Sequence, residues 1–181
     1  MTLATASIPT TCTARAVVAT PVGPMLLART ARGLAGAWFL DDQQHHPARF
    51  DAPDRPEDPL LARAARALGD YFAGRSMAFD ALELDPVGSP WQLAVWRELA
   101  AIAPGATTTY GAIAATLGRA GSGRAVGAAV GRNPLGVVVP CHRVVGADGS
   151  LTGYAGGLQR KRALLRIEAD WMAARAGLAP T

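Results

Sequence analysis

The chain has 181 residues, of which 50% are hydrophobic, and it carries a formal net charge of +4. This length fits one domain or two small ones, and the apolar share can form a core without disulfide or metal support. No apolar run approaches the roughly 20 residues of a membrane helix, and the N-terminus lacks the charge and the apolar block of a signal peptide, so we expect neither feature.

The two cysteines, Cys12 and Cys141, lie far apart in the sequence. Two thiols could pair, but they do not form the framework of bridges that is typical of small secreted proteins. This cysteine usage is typical of a reducing compartment. We therefore expect a cytoplasmic protein, associated with the nucleoid if the source is bacterial.

The charge is divided unevenly between the two halves of the chain. Residues 1–87 carry 8 Arg and 10 Asp or Glu, whereas residues 88–181 carry 9 Arg, one Lys and 4 acidic residues. A basic half of this kind favours contact with a phosphate backbone. Charge alone is weak support, because a solvated basic surface is common.

The first half has the pattern of a small sheet with one helix. Apolar runs bounded by turn residues predict β-strands over residues 14–20, 24–29, 33–40 and 77–84. Leucine and aromatic residues at three- and four-residue spacing predict a helix over 58–74. The Thr- and Ala-rich start, residues 1–13, has neither pattern and is a candidate for disorder.

The polar segment 41–55 is predicted to be a loop, and it contains His45 and His46. A metal site needs further ligands close by, and the loop offers no cysteine and no third histidine. Paired histidines in a polar loop are more often exposed to solvent. We therefore expect no metal site.

The second half is predicted to be mostly helical. Ser89-Pro90-Trp91-Gln92 forms a capping box with proline at the first helical position, and this helix is expected to reach residue 102. A second helix is predicted over 109–118 and a third over 124–132. The turn Gly121-Ser122-Gly123 separates them, with Ser122 as the expected cap of the third helix. Two helices joined by a short turn indicate a helix-turn-helix.

The third helix is unusually slim for a DNA-binding helix. It begins at Arg124 and then consists of Gly, Ala and Val as far as Gly131. A helix that reads the major groove needs long polar side chains to reach the base edges. A slim helix could instead press its backbone into a narrow minor groove. The alternative is close packing of this helix within a core.

The segment Pro140-Cys141-His142-Arg143-Val144 has the features of a nucleophilic site. It follows the apolar run 137–139, which predicts a short buried strand that ends at a thiol with an imidazole beside it. A thiolate is the reactive form, and an ordinary cysteine has a pKa of about 8.5, so Cys141 needs a proton acceptor. Asn133, eight residues upstream, can lock a turn with its side chain. An inert buried thiol is the alternative.

These motifs resemble those of the O6-alkylguanine-DNA alkyltransferases, also called methylated-DNA–protein-cysteine methyltransferases. The resemblance runs from about residue 89 to about residue 168. It rests on these motifs, in this order: Ser89-Pro90-Trp91-Gln92, Thr109-Tyr110, Arg124-Ala125-Val126-Gly127, Asn133-Pro134, Pro140-Cys141-His142-Arg143-Val144, Gly153-Tyr154-Ala155-Gly156-Gly157 and Glu168. The N-terminal half resembles the family only in length and layout.

The resemblance implies an α+β fold. The expected N-terminal domain, residues 1–87, is a small antiparallel sheet with a helix of the ribonuclease H-like kind. The expected C-terminal domain, residues 88–181, is mostly helical and contains the helix-turn-helix and the active site.

The implied function is the repair of O6-alkylguanine, and of O4-alkylthymine, in double-stranded DNA. The alkyl group is transferred directly and irreversibly to Cys141, after the protein binds the minor groove and flips the base. This is the activity of a methylated-DNA–protein-cysteine S-methyltransferase that reacts once, and it uses no cofactor. A monomer is expected, and cooperation between molecules on DNA is left open.

The resemblance also assigns the chemical roles. Cys141 accepts the alkyl group, His142 takes its proton through a water molecule, and Glu168 orients His142. Adjacent side chains of a strand face opposite ways, so His142 is not expected to touch Cys141 directly. Asn133 is expected to hold the turn that presents Cys141.

Further roles concern the DNA and the flipped base. Arg124 resembles the intercalating arginine of the family, and Tyr110 the tyrosine beside the 3′ phosphate of the target. Tyr154 is expected to form one wall of the guanine pocket. The amide of Ala155 is expected to donate to O6, and the carbonyls of Cys141 and Val144 are expected to accept from the guanine amino group. Ala125 and Gly127 are also expected to contact DNA, and Lys161 and Arg160 lie close enough in sequence to help neutralise a phosphate or the leaving base.

Two alternative functions agree less well with the sequence. A relative that binds lesions without repairing them would lack the acceptor cysteine, which this chain has. An unrelated thiol hydrolase would need a distant histidine in a substrate cleft, for which the sequence gives no sign.

The pocket is expected to have room for alkyl groups larger than methyl, because the residues expected opposite Cys141 are the small Ala155, Gly156 and Gly157.

Overall fold

A computed structural model of the chain describes residues 12–41, 43–44 and 51–177. Nearly all of the segment predicted to be disordered, and both His45 and His46, lie outside the described residues. In the described ranges, no helix is long and apolar enough to cross a membrane.

The N-terminal half contains a three-stranded antiparallel sheet in the order β1 (Ala14–Val18), β2 (Met25–Arg29) and β3 (Leu34–Phe39). The first three of the four predicted strands are confirmed to within two residues. One face of the sheet is covered by α1 (Pro59–Phe72), as predicted. Asp58 caps this helix by accepting hydrogen bonds from Leu60 N and Leu61 N at 3.0 and 3.2 Å.

The predicted fourth strand, residues 77–84, is wrong. This segment makes only a single bridge to β3, between Leu84 and Leu34. Further along the same strand, Ala37 exchanges hydrogen bonds with Pro134 O and Gly136 N, at 2.8 and 2.9 Å. The edge of β3 therefore pairs partly with a loop of the second half, which leaves less of it for residues 77–84.

The second half is mostly helical, as predicted. It contains α2 (Pro90–Ala100), α3 (Tyr110–Thr116), α4 (Gly123–Val130) and α5 (Leu158–Arg175). The capping box of α2 is present, with Gln92 N donating to Ser89 Oγ at 3.3 Å and Ser89 N donating to Gln92 Oε1 at 2.8 Å. Ser122 does not cap α4 with its side chain, because its backbone, at φ −89° and ψ 27°, lacks the extended conformation of a capping residue.

Between α4 and α5 the chain forms little regular structure. A short parallel pair joins β4 (Thr108–Thr109) to β5 (Val144–Val145). The main cluster of buried apolar residues draws on both halves of the chain. The domain boundary after residue 87 stays a prediction.

Candidate active site

Cys141 is presented by a tight loop rather than by a strand. In residues 137–139, the amide of Val138 bonds to Gly136 O and that of Val139 bonds to Leu135 O, both at 2.8 Å. These bonds stay within the segment, so it cannot pair as a strand, and that prediction is wrong. Val137 has a φ of 68°, which is rare for a β-branched residue and indicates local strain.

Asn133 holds this loop together. Its Oδ1 accepts from Leu135 N at 3.0 Å and its Nδ2 donates to Val139 O at 2.8 Å. The side chain is buried and so spans the loop from one side to the other. The loop is also tied to the edge of β3 through Ala37, which fixes its position relative to the sheet.

Cys141 begins a short 3₁₀ turn, Cys141–Arg143. Its amide bonds to Val139 O at 2.8 Å across Pro140, which has the φ and ψ of an inverse γ-turn, −80° and 64°. The residue is 6% exposed. Burial raises the pKa of the Cys141 thiol above its ordinary value, so the neutral thiol is the resting form.

His142 and Glu168 form a buried pair behind the cysteine. Both are 0% exposed, and His142 Nε2 lies 2.7 Å from Glu168 Oε1. Burial lowers the pKa of His142, so the imidazole is neutral at neutral pH and its Nε2–H donates to the carboxylate. Nδ1 is then the basic nitrogen. It is buried and makes no hydrogen bond to any of the described residues.

Glu168 is a shared acceptor for four residues. Besides His142, it accepts from Arg143 Nε at 2.9 Å and Nη2 at 2.8 Å, from the Tyr71 hydroxyl at 2.9 Å and from Gly105 N at 3.1 Å. Burial alone would raise the pKa of Glu168, but the hydrogen bonds from His142 and Arg143 outweigh it and hold the pKa at about 2. The carboxylate is therefore ionised throughout the physiological range.

A cavity of about 300 Å³ opens beside the thiol. Five residues predicted for the site line it: Tyr110, Gly127, Cys141, Tyr154 and Ala155. Gly156 and Gly157 do not line it. A Cβ at Gly156 would lie only 2.8 Å from the Tyr154 ring and 3.0 Å from the Phe39 ring, so this glycine allows close packing rather than leaving space beside the sulfur.

Helix α4 exposes small residues on its outer side, and one of them, Ala128, lines this cavity. Arg124, Ala125 and Ala128 are exposed, whereas Val126 and Ala129 are buried. On the buried side, the Trp96 Nε1–H donates to Ala129 O at 2.9 Å. The slim helix therefore combines close packing on one side with a flat outer surface on the other.

Tyr110 joins α4 to the loop that follows β5. Its hydroxyl donates to Thr152 O and Gly153 O at 3.2 and 3.3 Å. Its ring lies against Gly127, where an added Cβ would be 3.7 Å from Cδ1. Tyr110 therefore occupies the cavity wall between the two segments.

Two family models match the chain. The ribonuclease-like domain of 6-O-methylguanine DNA methyltransferase matches residues 14–86, and the DNA binding domain matches residues 90–170. The methylated-DNA–protein-cysteine methyltransferase of Mycolicibacterium paratuberculosis is 46% identical over 83% of this chain and 89% of that protein. The chain belongs to the methylated-DNA–protein-cysteine methyltransferase family. The methylated-DNA–protein-cysteine methyltransferase of Methanosarcina acetivorans is 42% identical over 84% of this chain and 96% of that protein.

Solved structures agree with this assignment. The crystal structure of Mycobacterium tuberculosis OGT in complex with DNA superposes with a TM-score of 0.81 at 41% identity, covering 87% of this chain and 94% of that one. The family and the α+β fold class inferred from the sequence are thereby confirmed.

Lys161 is buried inside the protein and not at the surface. Its side chain is completely buried, and Nζ donates to Val144 O at 2.5 Å and to Thr152 O at 2.6 Å. Burial lowers the pKa of the amine. The buried side chain does not reach the surface, so the predicted phosphate contact is wrong, and the predicted role at the leaving base stays a prediction. It binds the carbonyl of Val144 and the loop at the cavity instead.

Arg160 is also engaged elsewhere. Its guanidinium forms an ion pair with Asp41 at 2.7 Å and donates to Val22 O at 2.7 Å. It lies over the Phe39 ring, 4.5 Å from the centroid. Arg160 therefore joins α5 to the N-terminal sheet, and the assisting role predicted for it at a phosphate is not supported.

The sequence reasoning missed several residues of the site. The spacing of Tyr71 predicts only a core residue of α1, and the motif around Cys141 predicts no separate role for Arg143. Gln44 and Arg132 also line the cavity; they lie in the predicted loop 41–55 and at the end of the predicted helix 124–132, and neither position predicts a role in the site. In the part of the chain that the structure describes, no three His, Cys, Asp or Glu residues are grouped so as to hold a metal ion.

Proposed function

We propose that the protein repairs O6-alkylguanine in DNA by transferring the alkyl group to its own Cys141. The observation that carries this proposal is the position of the thiol on a cavity of about 300 Å³ that opens beside α4. Two tyrosines and several small residues line the cavity, which suits a flat aromatic base with a small substituent.

The proton of the thiol must leave before sulfur can attack, because burial keeps Cys141 neutral. His142 is the proposed acceptor. Glu168 fixes its tautomer through Nε2, so Nδ1 carries the free lone pair. We propose that a water molecule carries the proton from sulfur to Nδ1, in keeping with the relay expected for the family.

The transfer itself is a displacement at the alkyl carbon. A bond forms between Sγ of Cys141 and that carbon while the bond from carbon to O6 breaks, and the electron pair stays on the guanine oxygen. The proton held by His142 returns to the guanine through the same water. The charge of the imidazolium that forms in between is balanced by Glu168, whose low pKa keeps it ionised.

The protein is proposed to react only once. The product is a thioether on Cys141, and the displacement proposed above includes no step that removes it. The alkyl carbon comes from DNA and the acceptor from the protein, so the reaction needs no cofactor. O4-alkylthymine carries the same kind of alkylated exocyclic oxygen and is a proposed second substrate.

DNA is proposed to bind through its minor groove against the outer side of α4. Ala125, Gly127 and Ala128 leave this side flat, which allows the backbone to approach a narrow groove closely. Arg124 is exposed at the start of the helix, where its guanidinium can enter the stack and fill the space left by a flipped base. A monomer has all of these parts.

The proposal is tested by titration with a duplex that contains one O6-methylguanine. With the duplex in excess, methyl transfer should stop at one equivalent per protein molecule. Cys141→Ser should transfer nothing and still bind the duplex, whereas the matched control Cys12→Ser should transfer a full equivalent. Continued turnover would indicate a hydrolase, and binding without transfer by the unmodified protein would indicate a protein that only recognises lesions.

A further inference from the structure

Tyr71 brings the N-terminal half of the chain into the catalytic cluster. It lies on the last turn of α1 and is 0% exposed. Its hydroxyl donates to Glu168 Oε1 at 2.9 Å and lies 3.4 Å from His142 Nε2. Its ring meets the imidazole edge-on, with centroids 6.4 Å apart, and packs against Phe79 on another side.

We propose that Tyr71 is a positioning residue for alkyl transfer, acting through Glu168 on the proton affinity of His142. This inference rests on the function proposed above. Its basis is that one carboxylate oxygen, Oε1, receives the Tyr71 hydroxyl and the His142 Nε2–H together with the Arg143 guanidinium. An ionised carboxylate only accepts hydrogen bonds, so the direction of the Tyr71 bond is fixed.

The Tyr71 hydroxyl competes with the other two donors for this oxygen. The hydroxyl proton of Tyr71 places positive charge beside Oε1 and so weakens the hold of the carboxylate on the imidazole. Without the hydroxyl, Glu168 would stabilise a protonated His142 more strongly. His142 would then remain protonated, and unable to accept the thiol proton, up to a higher pH.

The other charged or titratable groups around His142 act in known directions. From α5, Glu168 raises its pKa and Lys161 lowers it, and from the same turn Arg143 lowers it. Cys141, the preceding residue, is the proposed proton donor. Tyr71 is the group that α1 adds. Its hydroxyl can be removed without changing any of the charged side chains around His142.

The test compares wild type with Tyr71→Phe in single-turnover methyl transfer from an O6-methylguanine duplex across a range of pH. The rate should rise with pH as His142 loses its proton. In Tyr71→Phe this rise should move to higher pH by about 0.5–1 unit, with the rate at high pH within about threefold of wild type. Phe79→Leu is the matched control. It alters the packing of the same ring but leaves the hydroxyl in place, so its rise should stay at the wild-type pH.

A second substitution predicts a change of the opposite sign. A fluorinated tyrosine at position 71 is a stronger donor with almost the same shape, and it should move the rise to lower pH. This variant keeps the inference testable if Tyr71→Phe does not fold. A rise at the wild-type pH in the folded Tyr71 variants, or an equal loss of their rate at every pH, would overturn the inference. Absence of transfer by wild type would instead refute the proposed function.

Discussion

Glu168→Gln should reveal how much the buried carboxylate contributes to stability. In the folded protein the pKa of Glu168 is about 2, against an ordinary value of 4.5. Because the folded pKa is the lower one, the contribution is fully present above about pH 4.5 and is lost as the pH falls toward about 2. At about 1.4 kcal/mol for each pKa unit, this contribution is about 3 kcal/mol.

The substitution also leaves a buried cation without its partner. Arg143 is 4% exposed, and its ion pair with Glu168, at 2.8 Å, would be lost. Removing one member of a buried pair typically costs about 3–5 kcal/mol, so we expect Glu168→Gln to lose that amount of stability at neutral pH. The difference from wild type should shrink below about pH 4.5, because protonation then removes the same charge from the wild type.

Urea unfolding, followed by circular dichroism from about pH 7 to about pH 3, measures both effects. Glu83→Gln is the matched control, since Glu83 pairs with Arg63 at 2.6 Å with its side chain 60% exposed, and an exposed pair contributes at most about 1 kcal/mol. The reasoning would be refuted if wild type and Glu168→Gln lost stability in parallel as the pH fell.

Three further substitutions test other parts of the site. Asn133→Ala should lower the unfolding free energy by about 1–3 kcal/mol and slow methyl transfer, because the Leu135 amide loses its acceptor and the Val139 carbonyl loses one of its two donors; urea unfolding and single-turnover kinetics check this. Arg124→Ala should weaken duplex binding by about 1–3 kcal/mol and slow repair of duplex more than reaction with a free O6-alkylguanine base; an equal loss on both substrates would contradict the proposed role. Gly156→Ala should destabilise the protein by about 1–3 kcal/mol, because its Cβ would meet Phe39 at 3.0 Å; an unchanged melting temperature would show that the ring can move.

The sequence predicts those parts of the fold in which local patterns and tertiary contacts agree. The helix over Pro59–Phe72 has one apolar stripe, and that stripe is the face that packs on the sheet. The capping box at Ser89 is likewise a local signal that the structure retains. In such segments the periodicity of the side chains suffices.

Other parts depend on contacts that no local pattern contains. The sequence pattern does not predict the helix Leu158–Arg175, because the buried residues of this helix include Lys161 and Glu168 and so form no apolar stripe. The run at residues 137–139 is apolar enough for a strand, but hydrogen bonds within the loop override that propensity. Tyr71 had the spacing of a core residue, and only the folded structure brings its hydroxyl to Glu168.

Peptide mapping tests most directly whether Cys141 is the residue that accepts the alkyl group. After reaction with an O6-methylguanine duplex, the intact mass should rise by one methylene group. Fragmentation should place that group on the peptide containing Cys141, with the Cys12 peptide unmodified. A methyl group found on Cys12 or on another residue, or a DNA product repaired with no change in protein mass, would contradict the account.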